Sequence, residues 1–342
     1  MTFEQFIQHA NTFGKQRVPF VFIIDFEQQK PVLVPLEQAE AAGVRYDITF
    51  GHQRLRNFEA TASIPLGAIT LHAEPPSFSQ YRQAFDHVQR ALQRGNTYLL
   101  NLTMPTPITL NTGFEPLFYQ GQADYKIWLK DNFVCFSPEC FIEIKDQHIH
   151  TYPIKGTISA NISHAEQQLL ADVKEQQEHY TIVDLLRNDL AMVATQIKVE
   201  RFRYVDKVVT HHGGILQTSS HIRGKLAENW QAQIGTLLAT LLPAGSICGA
   251  PKQKTVEIIR QAEGQPRGYY TGVFGLFLGE ALTSAVAIRY IEQQGKQLYF
   301  RSGGGITALS DAKQEYDELL KKVYLPIATP SINRSPTNRA MP

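Results

Sequence analysis

The chain has 342 residues, 43% of them apolar and 19% charged, enough for a sizeable core in one large or two medium domains. Its 33 basic and 32 acidic side chains leave a formal charge of +1, which speaks against a nucleic-acid binder and against a polybasic membrane anchor. Cys135, Cys140 and Cys248 are odd in number and lack CxxC spacing, so no disulfide framework or structural zinc is expected and reduced thiols in the cytoplasm fit better.

The first twenty residues interrupt their apolar positions with Glu, Gln, His and Asn, unlike a signal peptide. No apolar run approaches the roughly 18 residues that a membrane span needs. Strands are expected over 18–26, 31–35 and Val44–Phe50. Residues 77–94 form an amphipathic helix: Phe78, Tyr81, Phe85, Val88 and Leu92 recur at helical spacing, Ser77 or Ser79 can cap it, and Gly95 can end it. Strands follow over 97–110, Tyr125–Leu129 and 133–144, then one long helix over 164–193. Further strands are expected over 197–209 and 215–223, helices over 230–241 and 251–261, strands over 269–278, 282–291 and 297–301, and a last helix over 311–324. Runs of adjacent strands punctuated by helices indicate an α+β fold. The domain reading is a strand-forming N-terminal region, 1–75, packed on a core, 76–326. The Pro-, Ser-, Thr- and Asn-rich tail, 327–342, is expected to be disordered.

Two helices carry acids where apolar residues belong. Glu175 and Glu178 lie three apart on one helical face, with Ile182 and Leu185 on the same side as Glu178. The last helix repeats the pattern with Glu315, Glu318 and Lys322, and Leu319 beside them. A solvated charged edge is one reading of each. Together they also suit a hard divalent cation such as Mg²⁺, which takes oxygen ligands.

Lys155, in PIKGT, stands in an apolar setting, and desolvation favours the neutral, nucleophilic amine; the alternative is a surface lysine at a strand end. SGGGI, 302–306, reads as a loop between a strand and the last helix, whose three glycines let backbone N–H groups approach an anion. PAGSICGAPK, 243–252, resembles a second cradle feeding a helix but lacks the Walker A order. Arg289 lies in an apolar, alternating strand and calls for a carboxylate or phosphate partner. Glu139, after Pro138 at the start of a strand, suits a general acid or base, or a structural role.

SPECF, PIKGT, EHYTIVDLLRNDL, PAGSICGAPK, RGYYTGVFG, AIRY, GGGI and EYDELLKK occur in this order along the chain. That series resembles the chorismate-utilising enzymes, which include anthranilate, isochorismate and salicylate synthases and the aminodeoxychorismate-forming enzymes. The resemblance implies a four-layer α/β/β/α sandwich of two large, mostly antiparallel sheets with the active site between them. It implies that Glu175, Glu178, Glu315 and Glu318 bind Mg²⁺, which holds the ring carboxylate of chorismate together with the amides of Gly303, Gly304 and Gly305. Tyr270, Arg289 and Lys322 match positions that grip substrate carboxylates, and Glu139 matches the acid–base glutamate beside the 4-hydroxyl. Lys155 stands where anthranilate synthases carry alanine. In the aminodeoxychorismate branch this lysine is held to attack C2 of the ring before ammonia adds at C4.

The resemblance further implies a separate glutamine amidotransferase subunit as ammonia source and a separate lyase acting on the product. GNTYLLNLT carries Leu99 where relatives have glutamine or a water-activating lysine, Gln217 replaces a histidine, and Cys248 a threonine or serine. The N-terminal region is shorter than in many relatives, so no regulatory amino-acid site is expected there. Rival readings are anthranilate synthase component I and a non-catalytic chorismate-binding regulator.

Overall fold

The computed structural model describes residues 1–59, 68–210 and 213–327. In chain order, α1 (Phe3–Lys15) precedes β1 (Phe20–Ile24), β2 (Val32–Pro35), β3 (Val44–Phe50), β4 (Gln53–Arg56) and β5 (Leu71–Ala73). Then come α2 (Phe78–Gln93), β6 (Leu99–Leu110), α3 (Phe114–Gln120), β7 (Tyr125–Leu129), β8 (Phe133–Ser137), β9 (Cys140–Lys145), β10 (His148–Thr151) and β11 (Ile154–Ser159). Helices α4 (Ala165–Ala171) and α5 (Val173–Ala191) lead to the long strands β12 (Thr195–Thr210) and β13 (Gly213–Lys225). The remainder is α6 (Ile234–Leu241), α7 (Gly245–Cys248), β14 (Gly249–Ala250), α8 (Lys252–Glu263), β15 (Val273–Phe277), β16 (Leu282–Val286), β17 (Tyr290–Gln294), β18 (Gln297–Ile306) and α9 (Ala312–Lys321).

The strands of the described residues form two nine-stranded sheets. One runs β11-β13-β10-β9-β16-β15-β1-β2, with β12 also on β13; the other runs β14-β6-β18-β17-β8-β7-β3-β4, with β5 on β6. Period-2 alternation in β1 explains how they stack. Phe20, Phe22 and Ile24 pack with residues of α1, α5 and α6, whereas Val21 and Ile23 pack with Ile48, Ile127, Cys135 and Tyr290 of the other sheet. β1 is buried on both faces, which is why its sequence is an unbroken apolar run. On the far face of the second sheet, Tyr81, Phe85 and Val88 of α2 and Leu319 of α9 cover Leu100, Leu102 and Ile306. The order helix, sheet, sheet, helix is the expected four-layer sandwich.

Capping chemistry fixes the helix starts. Ser77 and Gln80 form a capping box at α2, and Thr2 and Gln5 form another at α1. α1, with Phe6 and Ala10 buried, has no counterpart among the expected elements, so the first 75 residues are not strands alone.

Other expectations are corrected. The expected helix over 164–193 breaks at Asp172, whose extended backbone (ψ 110) ends α4 and whose carboxylate accepts the Glu175 N–H to cap α5. The strand expected over 133–144 is two strands in different sheets, separated at Pro138, which has no N–H to continue a ladder. The strand expected over 282–291 likewise splits between sheets, and Arg289 at the junction has φ 53, so the alternation read across it does not hold. SGGGI is not a loop. Gly303, Gly304 and Gly305 pair with Thr103, Leu102 and Asn101 in the ladder with β6. The long partner strand overrides the low strand propensity of glycine. The expected disordered tail lies, beyond Ile327, outside the described residues.

Arg267 locks the helical side of the second sheet. It is 1% exposed, pairs with Glu263 at 2.6 Å, and donates to the carbonyls of Asn101 and Ile247. Removing one member of a buried pair leaves the other charge uncompensated. Arg267→Ala is therefore expected to lower stability by roughly 3–5 kcal/mol; a urea midpoint like that of the unmodified chain would contradict this.

Candidate active site

The two strand pairs that change sheets do so at neighbouring corners. β8 passes through Pro138 and Glu139 into β9, and β16 passes through Arg289 into β17. The corners are tied: the Val286 N–H donates to the Glu139 carbonyl at 3.1 Å, and the Phe136 N–H to the Arg289 carbonyl at 3.0 Å. Backbone hydrogen bonding thus fixes where both expected side chains start.

Glu139 is half-buried, with the Ser246 side chain of α7 near its carboxyl. Burial pushes its carboxyl above the ordinary value, opposed by Ser246 and by the positive charges of Lys155, Arg289 and Lys322. A carboxyl raised in this way is suited to hold a proton for transfer. Arg289 donates from Nε to the Tyr324 hydroxyl at 3.2 Å and stacks over that ring at 5.3 Å. Among the described residues no carboxylate forms an ion pair with it, so its guanidinium is open to an acidic ligand. Tyr270 is buried between the sheets, and burial pushes its hydroxyl up to about 12 against the pull of Arg267 and Arg289.

Lys155 projects from β11 with Nζ 3.5 Å from Glu178 Oε2 of α5. A Cβ added at Gly305 would lie 3.7 Å from that Nζ and 3.3 Å from Leu99 Cδ1. Gly305 thus stands beside the amine, and Leu99 lines the same spot with methyl groups. A Cβ at Gly304 would lie 3.4 Å from Glu315 Oε2 and 3.8 Å from Glu318 Oε1 of α9. β17 follows β18 only as far as Arg301, so the glycine segment has a strand on one edge only. Lysine and acids thus meet at the end of one strand.

The acids face one another across two helices. Lys174 Nζ, 3.7 Å from Glu315 Oε1, bridges α5 to α9. Burial, then Glu178, pushes the Glu175 carboxyl up. Burial and the charges of Glu318 and Glu178 raise Glu315, although Ser310 donates to it at 2.8 Å. At Glu318 burial acts in the same direction, but Lys322 at 2.7 Å prevails and holds the carboxyl below its ordinary value. Lys322 also donates to the Gly303 carbonyl at 2.8 Å.

Four glutamates offer only oxygen donors, the set a hard divalent cation takes, and a cation would relieve the repulsion that raises Glu175 and Glu315. Lys155, Lys174 and Lys322 each engage one of these carboxylates. Among the described residues no three His, Cys, Asp or Glu side chains converge closely enough to hold a metal as they stand. A cation entering here has to draw the carboxylates together.

The structure thus gathers Lys155, Gly304, Gly305, Lys322 and the four glutamates round one seam, with Glu139 and Arg289 linked to it through their charges. Ser246 and Lys174 went unnoticed in the sequence. Ser246 sits in PAGSICGAPK near the Glu139 carboxyl, whereas the Cys248 thiol faces backbone carbonyls. Lys174 directly precedes Glu175, a neighbour that a metal-centred reading passes over.

Acids and lysines meet along this seam, with Arg289 and its Tyr324 hydrogen bond near it. The chain belongs to the chorismate-binding enzyme family, whose description, chorismate binding enzyme, matches residues 6–327. It is 59% identical over 327 residues to an uncharacterized PabA-like protein of Pasteurella multocida, covering 96% of this chain and 100% of that one. It is 31% identical over 320 residues to aminodeoxychorismate synthase component 1 of Salmonella typhimurium, covering 89% of this chain and 67% of the relative. It is 37% identical over 277 residues to anthranilate synthase component 1 of Methanothermobacter marburgensis, covering 76% and 59%. The menaquinone-specific isochorismate synthase MenF of Escherichia coli has the same fold, with a TM-score of 0.69 at 16% identity over 93% of this chain and 80% of that one. Among the described residues no helix is long and apolar enough to cross a membrane.

Glu315 is 6% exposed and carries a charge disfavoured by burial and by two neighbouring acids. Its folded-state affinity for protons is raised, so this site loses stability as pH rises through that raised value. Glu315→Gln is therefore expected to raise the melting temperature of the metal-free chain at neutral pH. A lower melting temperature for that variant would contradict the electrostatic account.

Proposed function

We propose that this chain is an aminodeoxychorismate synthase component I: it replaces the 4-hydroxyl of chorismate with ammonia and retains the pyruvyl group. The observation that carries the reading is Lys155, whose Nζ stands beside the glycine strand and Glu178 rather than in open solvent, at 22% side-chain exposure. Where relatives in the anthranilate branch resemble this chain but carry alanine, this chain has an amine.

In the proposed reaction the Lys155 amine forms a bond to ring C2, the ring electrons shift, and the C4–O bond breaks. Glu139 gives its proton to the departing hydroxyl, which leaves as water. The lysine nitrogen gives up its extra proton and remains bound as a secondary amine. Ammonia then bonds to C4, the electrons shift back, and the C2–N bond breaks to restore Lys155 once its nitrogen is reprotonated. Arg289, Tyr270 and Lys322 would orient the two substrate carboxylates, and orientation of this kind can supply much of the rate. Leu99 offers no base at the spot facing Lys155, which disfavours water as nucleophile. Glu175, Glu178, Glu315 and Glu318 would hold Mg²⁺, which when bound neutralises the ring carboxylate and fixes its position. Ammonia would come from a separate glutamine amidotransferase subunit, and the product would pass to a lyase for aromatisation on the route to p-aminobenzoate and folate. A cytoplasmic setting fits the free thiols of Cys135, Cys140 and Cys248.

Anthranilate synthesis is the second reading, favoured by the 37% identity to an anthranilate synthase component 1. Mass spectrometry after incubation with chorismate, Mg²⁺ and ammonium salt separates the two. We expect 4-amino-4-deoxychorismate with no pyruvate released. Free anthranilate and pyruvate would overturn the proposal, and chorismate bound but unconverted would mark a regulator. In the same assay Lys155→Ala is expected to lower kcat by roughly 10³-fold or more while chorismate binding persists. Glu139→Gln is expected to lower it by about 10²–10⁴-fold. An unchanged rate in the lysine variant would remove the covalent step.

A further inference from the structure

His179 follows Glu178 directly in α5, is completely buried, and has no part in the reaction described above. Its Nε2 is hydrogen-bonded to Ser220 Oγ of β13 at 2.6 Å, while its Nδ1 has no hydrogen-bond partner. A buried ring nitrogen left unpartnered has a cost, so one bond must suffice to keep an imidazole here.

Ser220 has three links. Its hydroxyl oxygen accepts the Arg203 N–H at 2.8 Å and meets His179, and its own N–H donates to the Pro153 carbonyl at 3.0 Å. Pro153 lies two residues before Lys155. Ile154 and Lys155 are the ladder partners of Ser219 and Thr218, and the Thr218 hydroxyl donates to the Lys155 carbonyl. One residue of β13 therefore grips the lysine strand through its backbone and the glutamate helix through its side chain.

We propose that His179 is a positioning residue that, through Ser220, sets the separation between the Glu178 carboxylate and the Lys155 amine. The helix has other anchors: Ile182, Val183, Leu186 and Leu190 are buried in the core beside the first sheet. All four lie C-terminal to His179. They fix the later turns and leave the turn carrying Glu175 and Glu178 to be held by its own contacts. The His179 ring also packs edge-on against Phe202 at 5.5 Å, which an aromatic replacement would keep. The proposal rests on the reading of Lys155 and Glu178 as site residues.

The test compares His179→Phe, which keeps the ring and loses the bond, with His179→Gln, which can restore a polar group towards Ser220. In crystal structures of the metal-free chain we expect the Lys155–Glu178 separation, 3.5 Å here, to lengthen by on the order of 1 Å in His179→Phe and to return in His179→Gln. With chorismate, Mg²⁺ and ammonium salt, kcat is expected to fall by roughly 10²-fold in His179→Phe with KM little changed, and to recover largely in His179→Gln. An unchanged separation in His179→Phe, or a wild-type kcat, overturns the proposal. If His179→Phe does not yield folded protein, Ser220→Ala gives the same reading by removing the other partner. The separation is measured without turnover, so a parent chain that makes a different product from chorismate sinks the proposed function while the positional test still decides this inference.

Discussion

Everything in this site depends on bringing like charges from two helices towards one seam, with Glu315 buried, Glu175 and Glu178 half-buried and Glu318 exposed. Glu175, Glu178, Glu315 and Glu318 come from two helices that would repel if only those side chains met. Burial and mutual repulsion raise Glu175 and Glu315, whereas at Glu318 the adjacent Lys322 outweighs burial. The arrangement persists because the rest of each helix is anchored apolarly, α5 by Ile182 and Leu186 and α9 by Leu319, and each fully buried side chain contributes about 1.5–3 kcal/mol. Three lysines supply partial compensation. The site is a place where stability is given up locally so that positive charge is attracted.

The sandwich sets the geometry of that place. Two strand pairs cross between sheets at adjacent corners, which puts Glu139 and Arg289 where neither sheet continues past them. The glycine segment of β18 extends beyond its β17 partner, so the lysine and the acids of α9 can approach the strand closely. A Cβ at Gly304 or Gly305 would stand in van der Waals contact with those same groups, and at Gly305 it would press on Leu99. Backbone hydrogen bonding thus does the coarse placement, and single side chains such as Ser246 near Glu139 do the fine placement.

Much of this was legible in the sequence where local signals and tertiary packing agree. Ser77 before a helical apolar stripe, and the bounds of Val44–Phe50 and Tyr125–Leu129, needed no partner information. The inward aim of Glu178 and Glu315 was legible because each shares a face with apolar residues. The change of sheet at Pro138 and Arg289 was not legible, because an apolar run looks the same whether it continues or turns a corner. The glycine segment looked like a loop because its strand character is conferred by β6 from about two hundred residues away in sequence. His179 and Ser220, 41 residues apart, gave no sign in the sequence of meeting.

The central claim is that acids from α5 and α9 and the amine of Lys155 serve one bound substrate. A crystal structure with Mn²⁺ replacing Mg²⁺ and a non-reactive chorismate analogue tests it most directly. The account predicts an anomalous scattering peak among Glu178, Glu315 and Glu318, an analogue carboxylate against it, and Lys155 Nζ pointing at ring carbon C2. A metal bound elsewhere, or an analogue ring with Lys155 turned away from it, would contradict the account.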